Sequence, residues 1–316
     1  MRLNYDTFTG RRSAFVSLAT VLILLSWGAY NVCGPMLRQQ LAPRMGKYML
    51  IFVLTLIPYV LIVASVGAAA LIAEPKRSVK EKMGLEMDPG YSLGFLFPVF
   101  VLAVLCTFGA QIGLGHLIKA LGREPKQQAM VELFRTMKPL TFAAFAAITV
   151  IAAPVAEELA FRHIFYRFVR VFLYRKEAAV VVSLVFALCH VPLLTIFRTQ
   201  PFPWEMLVVP VVPLFVLAMF LQWQYERSKS VIPTVLMHAG FNLISVILLT
   251  FEVFCAPAPK APAAKDGAAP ADQPAAEAPV NAEAPANAEA PANAEVPATE
   301  ENPASEAVPA AEVVLP

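Results

Sequence analysis

The sequence predicts an all-α, polytopic transmembrane bundle of about seven or eight helices, followed by a disordered C-terminal tail. Three observations lead there. The chain is 58% hydrophobic and only 15% charged, with a mean hydropathy of +0.62, far more apolar than a soluble domain. Its charges gather in connectors between seven apolar runs, each long enough to cross a bilayer. Those runs are continuous and do not alternate, which favours helices over a closed β-barrel, the only other backbone that satisfies itself in lipid.

The runs cover roughly 13–33, 48–73, 92–115, 140–161, 177–197, 206–225 and 231–254. Arg2, Arg11 and Arg12 precede the first, as in a signal peptide, but Tyr30-Asn31-Val32-Cys33 offers no small-residue cleavage site. It reads as a retained anchor helix. Residues 116–138 are too charged to span and suit a surface helix. Residues 162–176 are aromatic and basic, as expected of a helix end whose rings are buried while its guanidinium groups reach the headgroups. Cys33, Cys106, Cys189 and Cys255 lie in or beside apolar runs without paired spacing, so they predict packing residues and no disulfide framework.

The charge balance divides the chain near residue 256. Residues 1–255 carry 23 Lys/Arg against 13 Asp/Glu, a net +10; the last 61 carry two Lys against ten Asp/Glu, a net −8. The expected organisation is 1–139 for N-terminal helices and connectors, 140–255 for a core that carries the chemistry, and 256–316 for the tail. That tail repeats every six residues, Val280–Pro285, Ala286–Pro291 and Ala292–Pro297, with a decayed copy to Pro303. Proline at that period forbids a stable helix, and alanine supplies too little apolar surface for a core.

The fourth run holds the most informative residues. Between Leu140 and Phe161 the only charges are the adjacent Glu157 and Glu158. One carboxylate in such a segment costs about 2.5–3.5 kcal/mol on insertion scales. Glu158 and Arg162 are four apart, with the acid N-terminal, so they pair on one helix face. Glu157 points about 100° away and has no partner in its own segment, which makes it the free carboxylate and a general base or acid candidate. The fifth run places His190 deep within it, and the last carries His238 and Asn242 four apart on one face. His163 reads as interfacial and His116 as a connector residue. Prolines near these groups, Pro154, Pro192 and Pro233, free backbone carbonyls, but so do Pro58, Pro98, Pro210 and Pro213 elsewhere.

Two carboxylates, two imidazoles and one amide on three segments can converge on one water. Glu157 would take its proton while His190, His238 and Asn242 hold it or stabilise an oxyanion. The same set could ligate one divalent metal, zinc for example, through His190, His238 and Glu157 with a water position open. Residue pattern alone leaves both versions standing, no cofactor or one metal. A proton relay in a transporter would use the same groups, but no inverted repeat relates the two halves.

Glu157-Glu158-Leu-Ala-Phe-Arg162, Phe186-xxx-His190 and His238-xxx-Asn242 resemble the EExxxR, FxxxH and HxxxN motifs of the type II CAAX prenyl endopeptidases and their bacterial relatives, the CPBP or ABI intramembrane proteases. The resemblance covers about residues 140–250. It implies an intramembrane peptidase in which Glu157, His190, His238 and Asn242 are catalytic while Glu158 and Arg162 support the site. His163 departs from the glycine usual in these relatives. The implied partners are the bilayer and a membrane-associated peptide or protein substrate, with no nucleic acid. The expected location is a bacterial cytoplasmic (inner) membrane. The rival reading is a non-catalytic scaffold or bacteriocin-immunity protein that keeps the fold.

Overall fold

The computed structural model describes residues 10–73, 76, 78–123, 137–191, 196–197, 199 and 202–251, with side chains from Ala14 onward. The acidic tail and most of the 116–138 connector, with its expected surface helix, lie outside the described residues. Among the described residues eight helices follow one another: α1 (Gly10–Leu41), α2 (Lys47–Ala73), α3 (Val79–Lys82), α4 (Leu96–Ala120), α5 (Pro139–Val169), α6 (Arg175–Leu188), α7 (Trp204–Ser228) and α8 (Val231–Thr250). No strand occurs among the described residues. Six of these helices are long and apolar enough to cross a membrane: α1, α2, α4 with the 3₁₀ turn before it, α5, α7 and α8.

The exposed surface is that of a membrane protein. Leu24, Leu25, Leu71, Ile72, Phe97, Leu105, Leu140 and Ile151 all face outward, which lipid accepts and water would not. Packing inside relies on small residues where helices approach closely. Ala19 of α1 meets Ala69 and Ala70 of α2, and Ala103 of α4 meets Leu217 and Leu221 of α7. Helix α5 is central: its Leu159 and Ile164 join the α1–α2 cluster, its Phe142 and Phe145 pack on Leu249 of α8, and Tyr166 and Val169 pack on α6 and α7.

The fifth apolar run departs from expectation. It forms α6, a 14-residue helix from Arg175 to Leu188 that rises roughly 21 Å against a hydrocarbon core of about 30 Å. Arg175, Lys176 and Glu177 occupy its first turn. Cys189 and His190 form a turn at its end, and Pro192, next but one in sequence, steers Val191 away from helical geometry. His190 therefore lies just past a helix terminus, not deep within a spanning helix.

Two prolines inside α2 and α5 have specific consequences. Pro58 lacks the N–H that would bond the Leu54 carbonyl, and the Tyr30 hydroxyl of α1 donates to that carbonyl at 2.7 Å. Pro154 acts in the same way within α5. There the backbone widens into a π-helix over Ile148–Ala152, where the Ala153 N–H bonds back to Ile148 O. The next N–H in that register belongs to residue 154, which is proline, so the Thr149 carbonyl is left open. The Asn242 side chain of α8 donates to it at 2.8 Å.

The loop after α3 is held by the α7–α8 turn. Gly84, at φ +65°, accepts from Val231 N at 2.9 Å and from the Ser230 hydroxyl at 3.2 Å. Asp88 N donates to Ser228 O at 2.8 Å. Lys229, in left-handed geometry at φ 58°, ends α7, and Ser230 caps α8 by accepting from Ile232 N.

Candidate active site

Glu157 and Glu158 sit at the end of a short α-helical piece, Ala153–Glu158, between two π-helical stretches, Ile148–Ala152 and Leu159–Phe165. Such widenings turn side chains out of ordinary helical phase and occur often at functional sites. The two carboxylates are separated by their surroundings. Glu158 is fully buried, 3.1 Å from Arg162 Nη1, and its Oε1 accepts from His238 Nδ1 at 2.9 Å. Arg162 is itself fully buried, stacks its guanidinium 4.5 Å over the Phe186 ring, and donates through Nη2 to Ala218 O at 3.4 Å. One ion pair thus ties α5 to α6, α7 and α8.

Glu157 turns the other way. Its Oε2 is 3.6 Å from His190 Nε2 and 3.8 Å from His238 Nε2, and it has no hydrogen-bond partner among the described residues. Each imidazole is held from its far side. His190 Nδ1 donates to Phe186 O at 2.7 Å, and His238 Nδ1 donates to Glu158. A carbonyl and a paired carboxylate only accept, so both Nδ1 atoms carry protons. In the neutral imidazoles both Nε2 atoms are then acceptors, and three acceptor atoms face one point. That convergence calls for protons supplied from a bound molecule, or for a charged imidazole.

The Phe186 ring lies against both imidazoles, with centroid distances of 4.6 Å to His190 and 5.7 Å to His238. Phe186 therefore braces three site groups at once, a role its place in the sequence did not suggest. Asn242 is one turn beyond His238 on α8, and its amide nitrogen is engaged by Thr149 O. No group of three His, Cys, Asp or Glu side chains among the described residues is gathered closely enough to hold a metal ion.

A cavity of about 290 Å³ opens beside Glu157 and His190. Its walls are apolar and come largely from the first two helices, including Trp27, Leu54 and Ile62, facing Phe161 and Val185. Tyr59 of α2 also lines it. Sequence reading missed Tyr59 because nothing local ties a tyrosine at 59 to a cavity beside residue 157.

Two further readings need correction. His163 is buried, not interfacial. It donates through Nε2 to Lys82 O at 2.9 Å and packs near Phe15. Gly84 makes the room: a Cβ there would stand 2.3 Å from His163 Nδ1. The buried polar groups of the last helices are also more numerous than expected. Gln222, Gln224 and Glu226 of α7 are all buried, with Glu226 accepting from Tyr166 at 2.7 Å and pairing with Arg175. These run at the end of α7, where hydropathy averages concealed them.

Comparison with known proteins follows the same boundaries. Residues 139–244 match the family described as type II CAAX prenyl endopeptidase Rce1-like. No curated protein and no solved structure matches the chain. The matched stretch runs from the start of α5 into α8 and contains every motif residue named above. Over these helices the chain is similar to the type II CAAX prenyl endopeptidase Rce1-like family.

Proposed function

We propose that this integral membrane protein is an endopeptidase that hydrolyses a peptide bond of a membrane-associated peptide or protein, with Glu157 as the base. The observation that carries the reading is the contrast within the glutamate pair: Glu158 is consumed by Arg162 and His238, while Glu157 Oε2 faces two imidazole nitrogens with no hydrogen bond. Separations of 3.6 and 3.8 Å are too long for direct hydrogen bonds and suit three groups that share one oxygen.

In this reading a water donates one proton to Glu157 Oε2 and is oriented by His190. Its oxygen attacks the scissile carbonyl, whose π electrons move onto the carbonyl oxygen. In its imidazolium form, with Nδ1–H given to Glu158, His238 donates Nε2–H to that oxyanion. Asn242 has two amide N–H groups, one spent on Thr149; the second serves the same oxyanion. Collapse of the tetrahedral intermediate breaks the C–N bond, and Glu157 returns its proton to the leaving amine. Glu158 and Arg162 keep His238 in place and take no part in the proton transfers. No step here uses a metal ion.

The apolar cavity beside Glu157 suits a hydrophobic side chain or lipid-like group on the substrate. The acidic Ala/Pro repeat of the tail supports a bacterial cytoplasmic membrane as the location. The test is cleavage of a fluorogenic lipopeptide by the purified full chain in nanodiscs, compared with Glu157→Ala. Hydrolysis by the parent and none by the variant is expected. Binding of the lipopeptide without cleavage by either protein would favour a scaffold that only keeps the fold.

A further inference from the structure

We propose that Pro154 is a positioning residue: it keeps the Thr149 carbonyl open, and that carbonyl orients the Asn242 amide in the site. The inference rests on the peptidase reading above, in which Asn242 serves the oxyanion. Three observations meet at one oxygen. In the π-helical stretch Ile148–Ala152 the Ala153 N–H bonds to Ile148 O, so it does not close on Thr149 as an α-helix would require. The next residue in that register is Pro154, which is buried and has no N–H to give. Asn242 Nδ2, from α8, donates to Thr149 O at 2.8 Å. The Thr149 hydroxyl is engaged elsewhere, donating to Phe145 O at 3.0 Å.

An amide has a donor end and an acceptor end of nearly the same shape, so packing alone hardly tells them apart. A carbonyl only accepts, so Thr149 O holds the Nδ2 end and fixes which end of Asn242 is which. The second N–H of Nδ2 is then left for the oxyanion. With Thr149 O closed by a backbone N–H, the amide loses that discrimination. Turned over, it presents Oδ1, an acceptor that repels the oxyanion.

The placement fits this role. Asn242 follows His238 by one turn on α8, and Pro154 precedes Glu157 by three residues on α5. One hydrogen bond therefore joins the helix that carries the base to the helix that carries the oxyanion donors. Tyr30 on Leu54 O, opposite Pro58, is the same device with no reactive group attached. A proline-opened carbonyl by itself thus implies no chemistry; what sets Thr149 apart is that its donor is a site amide.

Two measurements on the full-length protein test the assignment. Pro154→Ala returns an N–H to the backbone and lets it compete with Asn242 for Thr149 O. On the lipopeptide kcat should fall about 10- to 100-fold, part of the effect of losing one oxyanion donor. KM should stay within about twofold, because neither residue lines the apolar cavity. In the Asn242→Ala background the same change should lower kcat by less than about threefold further. Equal fold-losses in the two backgrounds, or an unchanged kcat, would overturn the proposal.

The second measurement needs no activity. Asn242→Ala leaves Thr149 O without its donor, and the thermal midpoint should drop by about 2–8 °C. In Pro154→Ala the backbone N–H takes that place, so Asn242→Ala should lower the midpoint by at most about half as much. Each drop is read within one background, so packing lost with the proline ring cancels. Pro154→Val, which keeps more of the ring's volume, replaces Pro154→Ala if the latter does not fold. An equal drop in both backgrounds, or failure of both substitutions to fold, would reduce Pro154 to a packing residue and overturn the proposal. The unequal drop in a parent protein that cleaves nothing would sink the peptidase reading while leaving the Pro154–Thr149–Asn242 arrangement standing.

Discussion

The α1–α2 pair and the α5–α8 group use the same device to different ends. In each, a proline opens a carbonyl and a side chain from another helix closes it: Tyr30 on Leu54 O opposite Pro58, and Asn242 on Thr149 O opposite Pro154. In the first pair the outcome is a fixed wall. Its buried contacts are mainly apolar, with a Ser26–Ser65 hydroxyl contact at 3.3 Å between the helices, and it contributes most of the cavity lining. In the second group the outcome is a set of charges held at depth, with Glu158, Arg162 and His238 tied together. The difference separates labour within one bundle: one region shapes the space and the other supplies the reactive groups.

The sharpest way to break this comparison is at the glutamate pair. Glu157→Gln keeps shape and deletes the proton acceptor, so lipopeptide hydrolysis should fall by about 10²–10⁴-fold or more while the thermal midpoint stays near that of the parent. Substantial residual turnover would move the base elsewhere. Glu158→Gln should do the opposite kind of damage. It strands a fully buried Arg162 and should cost about 3–5 kcal/mol of stability, read as a large drop in thermal midpoint or in folded yield. Equal loss of folded protein in both variants would make the whole doublet a brace.

The link between the regions can be probed with a smaller change. In Gly84→Ala the new Cβ would press on His163 Nδ1 at 2.3 Å and force a φ of +65° on a side chain that resists it. A loss of about 1–3 kcal/mol is expected, seen as a lower thermal midpoint. The double variant Gly84→Ala, His163→Gly should recover part of it. No recovery would show that backbone strain, not the imidazole, carries the cost.

Two expected effects are close to zero. Chelators should leave activity nearly unchanged, because in the proposed mechanism Glu157 activates the water directly. About one tightly held zinc per chain, with activity lost on its removal and regained on its return, would overturn the metal-free mechanism. A chain ended after Phe254 should cleave the lipopeptide at the parental rate within about twofold, because the acidic repeats have almost no apolar surface to lend to the bundle. Inactivity in a folded truncation would place the tail at the substrate.

Much of the site was legible because its groups are costly. Glu157, Glu158 and Arg162 stand out in a helix otherwise free of charge, and the i,i+4 spacing of Glu158 and Arg162 is met by a 3.1 Å ion pair. His238 and Asn242 share a helix face as their spacing requires, yet nothing local says that one would reach Glu158 and the other a backbone carbonyl 93 residues away. Gln222, Gln224 and Glu226 were hidden for the opposite reason, since a few polar residues at a helix end barely change its average hydropathy.

By itself the sequence determined the helical class, the membrane setting and the division between glutamates. Each follows from short-range physics: a backbone in lipid must bond within its own segment, and 3.6 residues per turn decide which side chains share a face. The tertiary structure alone decided that the fifth apolar run stops after 14 residues, that His163 is buried against a glycine, and that Tyr59 lines the cavity beside Glu157. Those depend on which helices pack together, and in a bilayer every apolar face is equally content with lipid. Only close fit, open carbonyls and buried charges choose one arrangement over the others.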